Sequence, residues 1–426
     1  MPQHLRSPTP PMGWNSWDVY GASVNEAEVV ANAQYMAEHL LPYGWEYVVV
    51  DIQWYEPHAV GSAYRRFARL EVDEFSRLVP ASNRFPSAAD GAGFAPLALR
   101  IHALGLKFGL HLMRGIPRQA VHENSPILGT HQRAQDIAAN SICAWNTDMY
   151  GVDALAPGAQ SYYDSVFALF ASWGVDFVKV DDVLSPYAEG EIALIRRAID
   201  RCDRQIVLSL SCGPTDLSHG AHLRRNAEMW RMTGDFWDDW TDLVRMFDFC
   251  AEWTGFVGDG HWADADMLPL GRLAIRSNEH GRGERWTRLT HDEQITMMTL
   301  WCIARSPLMV GCDLPSNDAW TLDLLTNADV LRVLKESSNG SQVLRTDGVA
   351  GGYIVWTADG SDGSTYLAVF NTGFVAATIE LPLDAVGLPE SVACRDLWAG
   401  RDVGRVTHTL VTEVASHGAR LFRAVP

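Results

Sequence analysis

The sequence lacks the features that mark several large classes of protein. Its seven cysteines include no Cys-x-x-Cys pair. This argues against a zinc site or a disulfide framework, so reduced thiols in a core are expected. No apolar run approaches the length of a membrane span, and residues 1–8 contain no apolar signal region. These absences predict a cytoplasmic protein that does not enter a membrane.

Positive charge is scarce. The 34 lysines and arginines stand against 52 acidic residues, which gives a formal net charge of −18 at pH 7. This excess of negative charge disfavours binding to nucleic acid, to an anionic membrane surface or to a polyanionic substrate. We therefore expect a small neutral ligand, and the sequence leaves open whether the chain forms a homo-oligomer.

Tryptophan, by contrast, is abundant, with 16 residues. Aromatic faces stack on the apolar C–H faces of sugar rings, so this composition suits a carbohydrate site, although large core residues should account for most of the tryptophans. The candidates for a binding role are those beside strand-end polar residues: Trp17, Trp54, Trp145, Trp237 and Trp262.

The first 330 residues alternate short β-branched runs with longer helical patterns, which is typical of parallel β/α units. Eight strands are predicted, the number that closes a (β/α)8 TIM barrel. They cover residues 13–17, 47–52, 108–113, 177–181, 206–211, 228–232, 263–267 and 307–311. We expect this barrel to span residues 1–334.

Local signals predict the first crossover helix and one pocket-forming loop. Ser23 and Glu26 have the spacing of a capping box before the helix, and Pro42 and Gly44 should end it. The long loop of residues 55–90 follows the second strand, where loops usually contribute to a substrate pocket.

The pattern changes after Lys335, and residues 335–426 predict a second domain. Short alternating runs are separated by turn-forming residues, which indicates an antiparallel β-sandwich. The predicted strands cover residues 352–357, 365–371, 378–382, 391–397, 405–411 and 419–423.

Polar residues at the ends of two predicted strands indicate a catalytic site. Lys179, Asp181 and Asp182 end the fourth strand, and Asp235 follows the sixth. The C-terminal ends of barrel strands form the active face of this fold, and two carboxyl groups there are the minimum equipment of a glycoside hydrolase. The alternative is that Asp181 and Asp182 only cap a helix or pair with an arginine.

Five strand-end motifs together resemble those of glycoside hydrolase family 27, which includes α-galactosidases and α-N-acetylgalactosaminidases. They are Met12-Gly-Trp-Asn-Ser-Trp-Asp18, Val50-Asp51-Ile52-Gln53-Trp54, Lys179-Val-Asp181, Arg231-Met-Thr-Gly-Asp235 and Trp262-Ala-Asp-Ala-Asp266. The likeness extends from about residue 9 to the C-terminus. It implies a retaining exo-glycosidase without a cofactor.

The resemblance also implies roles for particular residues. Asp181 matches the family's nucleophile and Asp235 its general acid/base. The residues that match its sugar-binding positions are Trp17, Asp51, Arg231 and Asp266.

The residues themselves agree with this assignment. Lys179 precedes Asp181 by two positions and therefore projects to the same side of the strand, where its charge should keep Asp181 ionised. Asp235 lies in Gly-Asp-Phe-Trp, an apolar surround that should favour its protonated form. Asp238 and Asp239 are rivals for the acid role, but a helix start suits them better.

The chain departs from the α-galactosidase pattern at Ile52, His111 and Ser211, where an aspartate, a tyrosine and a glutamate are typical. His111 is either a packing residue or a hydroxyl ligand. In the family, the glutamate that Ser211 replaces lies near the sugar 2-hydroxyl. The aspartate replaced by Ile52 serves the galactose 6-hydroxyl, a group that β-L-arabinopyranose lacks.

We therefore predict a β-L-arabinopyranosidase that acts more slowly on α-D-galactosides. An α-D-galactosidase and an α-N-acetylgalactosaminidase are the alternatives within the family. From other classes, a metal-dependent barrel hydrolase, a Schiff-base aldolase built on Lys179 and a non-catalytic sugar-binding barrel are weaker hypotheses.

Overall fold

A curled sheet of eight parallel strands forms the larger domain in the computed structural model, which describes residues 6–278, 281–347 and 351–426. The strands are β1 Met12–Asn15, β2 Tyr47–Val50, β3 Lys107–Met113, β4 Phe177–Asp181, β5 Val207–Leu210, β6 Met229–Arg231, β7 Trp262–Asp264 and β8 Leu308–Val310. They pair in the order β7-β6-β5-β4-β3-β2-β1-β8.

The sheet closes between its first and last members. Leu268, just after β7, donates its backbone N–H to Met309 at 2.8 Å and accepts from Gly311 N at 3.1 Å. This parallel bridge completes the ring, so the predicted (β/α)8 barrel is confirmed, with each predicted strand overlapping an observed one. β2 is buried throughout, as expected for a β-branched strand packed on both faces.

Helices cover the outside of the barrel. They are α1 Glu26–Tyr35, α2 Ala95–Ala103, α3 Ala159–Trp173, α4 Glu189–Arg201, α5 Gly220–Asn226, α6 Trp240–Trp253, α7 His291–Ala304, α8 Ala319–Thr326 and α9 Ala328–Glu336. Shorter elements decorate the loops, namely helices Trp17–Tyr20, Arg118–Glu123 and Ala134–Ile137 and strands Ile116–Pro117, Ala138–Ala139, Met149–Val152, Arg272–Leu273 and Arg285–Trp286.

The start of α1 differs from the prediction. The capping box joins Asn25 to Glu28 rather than Ser23 to Glu26. Ser23 lies in a preceding 3-10 turn, where its hydroxyl donates to Tyr20 O, whereas Asn25 has the extended backbone of an N-cap. The helix continues through a π turn, Met36–Leu40, and stops near Gly44, whose φ of +96° suits glycine.

The C-terminal residues form the predicted β-sandwich. Its strands are β9 Ser337–Arg345, β10 Tyr353–Gly360, β11 Thr365–Asn371, β12 Ala377–Pro382, β13 Ser391–Asp396, β14 Arg401–Thr407, β15 Thr409–Val414 and β16 Ala419–Val425. One sheet has the order β9-β10-β11-β16-β13-β14, and β12 pairs with β15. The apolar core of the sandwich includes residues from both sheets.

Two features of the sandwich were not predicted. The single strand expected at residues 405–411 is two strands, because the chain turns at His408, which has a φ of +63°. The polar sequence of β9 gave no strand signal, yet it pairs along β10. α9 ends at Glu336 and β9 begins at Ser337, close to the predicted domain boundary.

The sandwich contacts the barrel behind the loop that follows β6. His417 of the sandwich stacks on Trp240 with ring centroids 3.8 Å apart. Its Nδ1 lies 2.8 Å from Glu293 Oε1 on α7. Phe247 and Phe370 meet edge to face across the same interface, at 4.9 Å. The sandwich therefore packs against helices α6 and α7.

All seven cysteines are free thiols, in keeping with the expectation of reduced side chains. No helix in the described part of the chain combines the length and the apolarity needed to cross a bilayer.

Candidate active site

A cavity of about 340 Å³ opens at the C-terminal ends of the barrel strands. Its lining combines carboxylates, two cations and aromatic rings, and consists of Trp17, Asp18, Asp51, Ile52, Ser62, Tyr64, Trp145, Lys179, Asp181, Ser211, Cys212, Arg231, Asp235, Phe236, Trp237, Asp266 and Met267. Eleven of the fourteen residues that the sequence predicts for the site are in this set, and His111, Trp54 and Trp262 are not.

Asp51 is a buried acceptor at the end of β2. Its Oδ2 accepts from Asn15 Nδ2 at 2.7 Å and from Lys179 Nζ at 3.0 Å, and its Oδ1 accepts from Ile52 N at 2.8 Å. Burial alone would raise the pKa of this carboxyl, but the charges of Lys179 and His111 and these hydrogen bonds hold it below its usual value. Asp51 is therefore ionised at neutral pH.

Asp181 at the end of β4 is also held ionised. Its Oδ1 accepts from Asp182 N at 2.7 Å, and its Oδ2 lies 3.3 Å from His111 Nε2. Burial would raise the pKa of Asp181, but the hydrogen bond and charge of His111, followed by the charge of Lys179, hold it well below its usual range. The prediction of an ionised Asp181 agrees with this geometry, with His111 as the stronger contributor.

Lys179 contributes charge to the cavity and is unsuited to act as an amine nucleophile. Burial would lower its pKa, but Asp51 and Asp181 raise it above the usual value for lysine. A Schiff-base lysine needs a neutral amine at working pH. The electrostatics of this site therefore oppose the aldolase hypothesis.

Asp182 belongs to a different ion pair. Its carboxylate lies 2.7 Å from Arg114 Nη2, and Arg114 also contacts Glu191 at 2.8 Å. Asp182 is buried and does not line the cavity. The pairing with arginine that was the alternative interpretation for both aspartates thus applies to Asp182 and not to Asp181.

Arg231 at the end of β6 joins two carboxylates. Its Nη1 lies 2.6 Å from Asp266 Oδ1, and its Nη2 lies 3.1 Å from Asp235 Oδ1. Asp266 also accepts from Phe236 N at 2.8 Å. Burial raises the pKa of Asp266; Arg231 opposes this, but Asp235 and Asp264 raise it again, so the net direction is upward.

Asp235 lies at the mouth of the cavity. The apolar surround predicted for it is wrong, because its side chain is 62% exposed and contacts Arg231. The two aromatic residues that follow in sequence, Phe236 and Trp237, are themselves buried against the cavity. Its carboxyl is therefore open to water and to whatever occupies the mouth.

The two rivals of Asp235 have structural contacts. Asp239 is the N-cap of α6, where its side chain accepts from Thr241 N, as predicted. Asp238 is buried and forms an ion pair with Arg285 at 2.7 Å, with Arg282 and Arg288 also close. Asp238 thus anchors the segment that contains these arginines instead of starting the helix.

His111 and Ser211 occupy different positions relative to the cavity. His111 is fully buried behind Asp181, so a direct hydroxyl-ligand role does not fit its place. Ser211 lines the cavity, and its Oγ has no hydrogen-bond partner among the described residues.

Three of the five nominated tryptophans, Trp17, Trp145 and Trp237, line the cavity. The other two were wrongly nominated. Trp54 packs in the core and donates to His111 O at 2.8 Å, and Trp262 is buried and donates to Ser7 O at 3.0 Å. Neither ring is part of the cavity lining.

The sequence did not nominate six lining residues: Asp18, Ser62, Tyr64, Cys212, Phe236 and Met267. Four of them directly follow residues that were predicted for the site, so their position next to a strand end could have indicated them. Ser62 and Tyr64 come from the long loop of residues 55–90, which was expected to contribute but carries no motif. Asp18 is buried, and burial raises its pKa well above the usual range, with Asp266 adding to the effect.

Within residues 6–278, 281–347 and 351–426, no group of three or more His, Cys, Asp or Glu side chains is placed to hold a metal ion.

Family models match two parts of the chain. Residues 151–336 match a model described as alpha galactosidase A, and residues 350–424 match the alpha galactosidase C-terminal beta sandwich domain.

Solved structures with high similarity extend the match to the whole chain. One is a variant of a glycoside hydrolase family 27 β-L-arabinopyranosidase from Geobacillus stearothermophilus in complex with arabinose, with 55% identity, 100% coverage of both chains and a TM-score of 0.97. Another, from Bacillus halodurans C-125 and provisionally described as an α-N-acetylgalactosaminidase, has 50% identity, 98% and 97% coverage and a TM-score of 0.88. The α-galactosidase of Cyamopsis tetragonoloba is 27% identical over 98% of this chain and 86% of its own.

We expect His111→Phe to raise the pKa of Asp181. The substitution removes the leading group that favours the carboxylate. A carboxyl whose pKa is lower in the folded state than in the unfolded state stabilises the fold at pH values above the unfolded pKa, and this stabilisation is lost as the pH falls. The variant should therefore be less stable than the wild type at neutral pH. Aspartate-labelled ¹³C NMR titration measures the shift. An exposed control, His122→Phe, should leave the titration unchanged, and an unchanged titration in His111→Phe would contradict the assignment.

Proposed function

The chain belongs to glycoside hydrolase family 27, and from that membership we propose that it is a retaining exo-glycosidase that releases terminal β-L-arabinopyranose and, more slowly, α-D-galactose. The observation that carries the sugar assignment is an apolar residue, Ile52, in the cavity lining directly beside Asp51. The 55% identity to a β-L-arabinopyranosidase over the full length supports it.

Two carboxyl groups with unlike environments support a double displacement. Asp181, buried and ionised, attacks the anomeric carbon while Asp235 donates its proton to the glycosidic oxygen and the leaving group departs. In the second step the Asp235 carboxylate removes a proton from water. That water attacks the same carbon and releases Asp181, so the sugar keeps its anomeric configuration.

Asp51, Lys179, Arg231 and Asp266 provide the polar contacts of the terminal sugar in this proposal. Ionised Asp51 accepts hydrogen bonds from hydroxyls, while Lys179 and Arg231 donate to sugar oxygens. Both cations are already fixed by ion pairs at 3.0 and 2.6 Å. Pre-paired cations lose little conformational entropy when the substrate binds, and the half-buried Trp17 supplies a face for the ring.

Ile52 favours a sugar without a hydroxymethyl group. Its side chain is 1% exposed, and its backbone N–H is already bonded to Asp51. A hydroxymethyl oxygen placed against it would lose hydrogen bonds to water without replacement, which is a desolvation cost. β-L-Arabinopyranose has hydrogen at this position and avoids that cost.

A second candidate is an α-N-acetylgalactosaminidase, because the 50% identical protein from Bacillus halodurans C-125 is provisionally described as one. The small side chain of Ser211 leaves more room near the sugar 2-position than glutamate would. An α-D-galactosidase is the third candidate, in line with the relatives of lower identity.

Replacing the nucleophile should abolish turnover. We expect Asp181→Gly to lower kcat by about 10³-fold or more, because no other carboxylate in the cavity takes the same position on β4. Azide or formate should restore part of the activity by entering the vacated space. Proton NMR of early product from the wild type should show the anomeric configuration of the substrate. Release of the opposite anomer would exclude a retaining mechanism.

Replacing the acid/base should separate substrates by their leaving groups. In Asp235→Ala, the loss of kcat/KM on alkyl glycosides should exceed the loss on p-nitrophenyl glycosides by a factor of about 10² or more. The reason is that only poor leaving groups need protonation. Asp239→Ala is the matched control, and its substrate ratio should stay unchanged. An equal loss on both substrate types in Asp235→Ala would argue for a binding role instead.

The sugar preference should shift toward the galactoside when one side chain is changed. We expect the wild type to prefer p-nitrophenyl β-L-arabinopyranoside to the α-D-galactoside by about 10–200-fold in kcat/KM. Ile52→Asp supplies an acceptor for the 6-hydroxyl, worth about 1.5–3 kcal/mol, and should move the ratio toward galactoside by about one to two decades. Ile52→Leu keeps the apolar surface and should keep the ratio. A wild type that already favours the galactoside would make α-D-galactosidase the better assignment.

A further inference from the structure

Three aromatic rings form a continuous wall from the interior of the cavity to its mouth. Trp17 stacks on Tyr64 with centroids 5.9 Å apart and planes at 18°, and Tyr64 meets Trp145 at 5.5 Å and 41°. All three line the cavity. We call this set the aromatic wall.

The wall does not end inside the cavity. Trp17 and Tyr64 are half-buried, whereas Trp145 is 41% exposed, so the wall extends outward to solvent. A large exposed aromatic ring costs hydration free energy, and one that continues a cavity wall marks a binding surface more readily than an isolated one does.

The outer end of the wall and the proposed acid are both exposed residues of the cavity lining. Asp235, like Trp145, is exposed, while Asp51 and Ile52 are buried and close the inner end. In the proposed reaction the terminal sugar fills the inner end, and the glycosidic oxygen reaches Asp235. The leaving group must then lie at the mouth, where Tyr64 and Trp145 stand.

The loops that hold the outer rings are fixed to each other. Phe67 N donates to Thr147 Oγ1 at 2.7 Å, which joins the loop of Tyr64 to that of Trp145. Asp148 accepts from Gln53 Nε2 at 2.9 Å and from Tyr55 Oη at 3.1 Å. Trp145 is therefore exposed on an anchored loop, and its ring is already placed for a partner before binding.

We propose that Tyr64 and Trp145 form a leaving-group subsite for a ring with a flat apolar face, either a second sugar or an aromatic aglycone. The inference rests on the proposed exo-glycosidase function and adds the class of leaving group to it. Both ring types present C–H or π surface to an aromatic plane, which is the chemistry they share.

The test compares leaving groups on one terminal sugar. Methyl β-L-arabinopyranoside lacks a ring at the mouth, benzyl β-L-arabinopyranoside presents an aromatic ring, and a β-L-arabinopyranosyl disaccharide presents a sugar. We expect wild-type kcat/KM to be about tenfold or more higher on ring-bearing substrates than on the methyl glycoside. Trp145→Ala should lose about tenfold more on the ring-bearing substrates than on the methyl glycoside.

Two further variants separate stacking from general damage. Trp145→Phe keeps a flat ring and should retain most of the preference, and Tyr64→Ala should reduce it as Trp145→Ala does. Phe374→Ala removes an exposed aromatic ring from the sandwich and should change no ratio. Thermal unfolding of each variant checks that the fold is intact.

Each outcome bears on one claim. An effect confined to the benzyl glycoside assigns an aromatic leaving group, and one confined to the disaccharide assigns a sugar. Equal losses on all three substrates in Trp145→Ala and Tyr64→Ala would overturn the subsite. If the wild type hydrolyses only α-D-galactosides, the sugar assignment fails, and the same comparison on methyl and benzyl α-D-galactoside still decides on the subsite.

Discussion

The cavity is organised around the ion pair between Lys179 of β4 and buried Asp51, which follows β2; the two charged atoms are 3.0 Å apart. A carboxylate in a buried cavity stays ionised only if cations and donors lie close to it. Lys179 forms an ion pair with Asp51 and lowers the pKa of Asp181 through its charge. His111, which pairs in register with Lys179 from β3, contacts Asp181. The parallel barrel supplies this arrangement because it brings the C-terminal ends of successive strands to one rim. Removing the lysine would leave two buried carboxylates short of positive charge.

The opposite side of the cavity is organised by Arg231, whose guanidinium is shared by buried Asp266 and exposed Asp235. The two carboxyl groups proposed to be catalytic therefore have different surroundings. Asp181 is enclosed and held ionised, and Asp235 faces solvent. Exposure gives Asp235 access to a leaving group and to water, whereas Asp181 is enclosed within the cavity. Rigid strands hold the polar groups, while the loops after β2 and β3 add the rings of the mouth, a division of labour common in barrel enzymes. The sandwich supports the same rim from behind through His417 and Trp240.

Much of the fold follows from local pattern. The barrel strands were predictable because β-branched runs such as β2 alternate with amphipathic helices, and the motif residues Asp51, Lys179 and Asp181 were predictable because they end those strands. The local pattern gave a wrong prediction where two neighbouring residues fitted the same role. Ser23 and Asn25 are both good caps, and only the turn before α1 decides between them. β9 is mostly polar, with Val343 and Leu344 as its large apolar residues. Its strand geometry comes from pairing with β10, which its own sequence does not indicate.

By itself the sequence determined the (β/α)8 barrel, the sandwich and which polar residues stand at the rim, because side-chain periodicity and turn chemistry depend on neighbours along the chain. Only the tertiary structure decided how those residues are used. It buried His111 behind Asp181, paired Asp182 with Arg114, and exposed Asp235 although its sequence neighbours are aromatic. It also joined Tyr64 and Trp145, from two loops without a motif, into one wall. The physical reason is that burial, ionisation and stacking depend on groups that approach from other strands and loops, and the distances between those groups are set when the chain closes into a barrel.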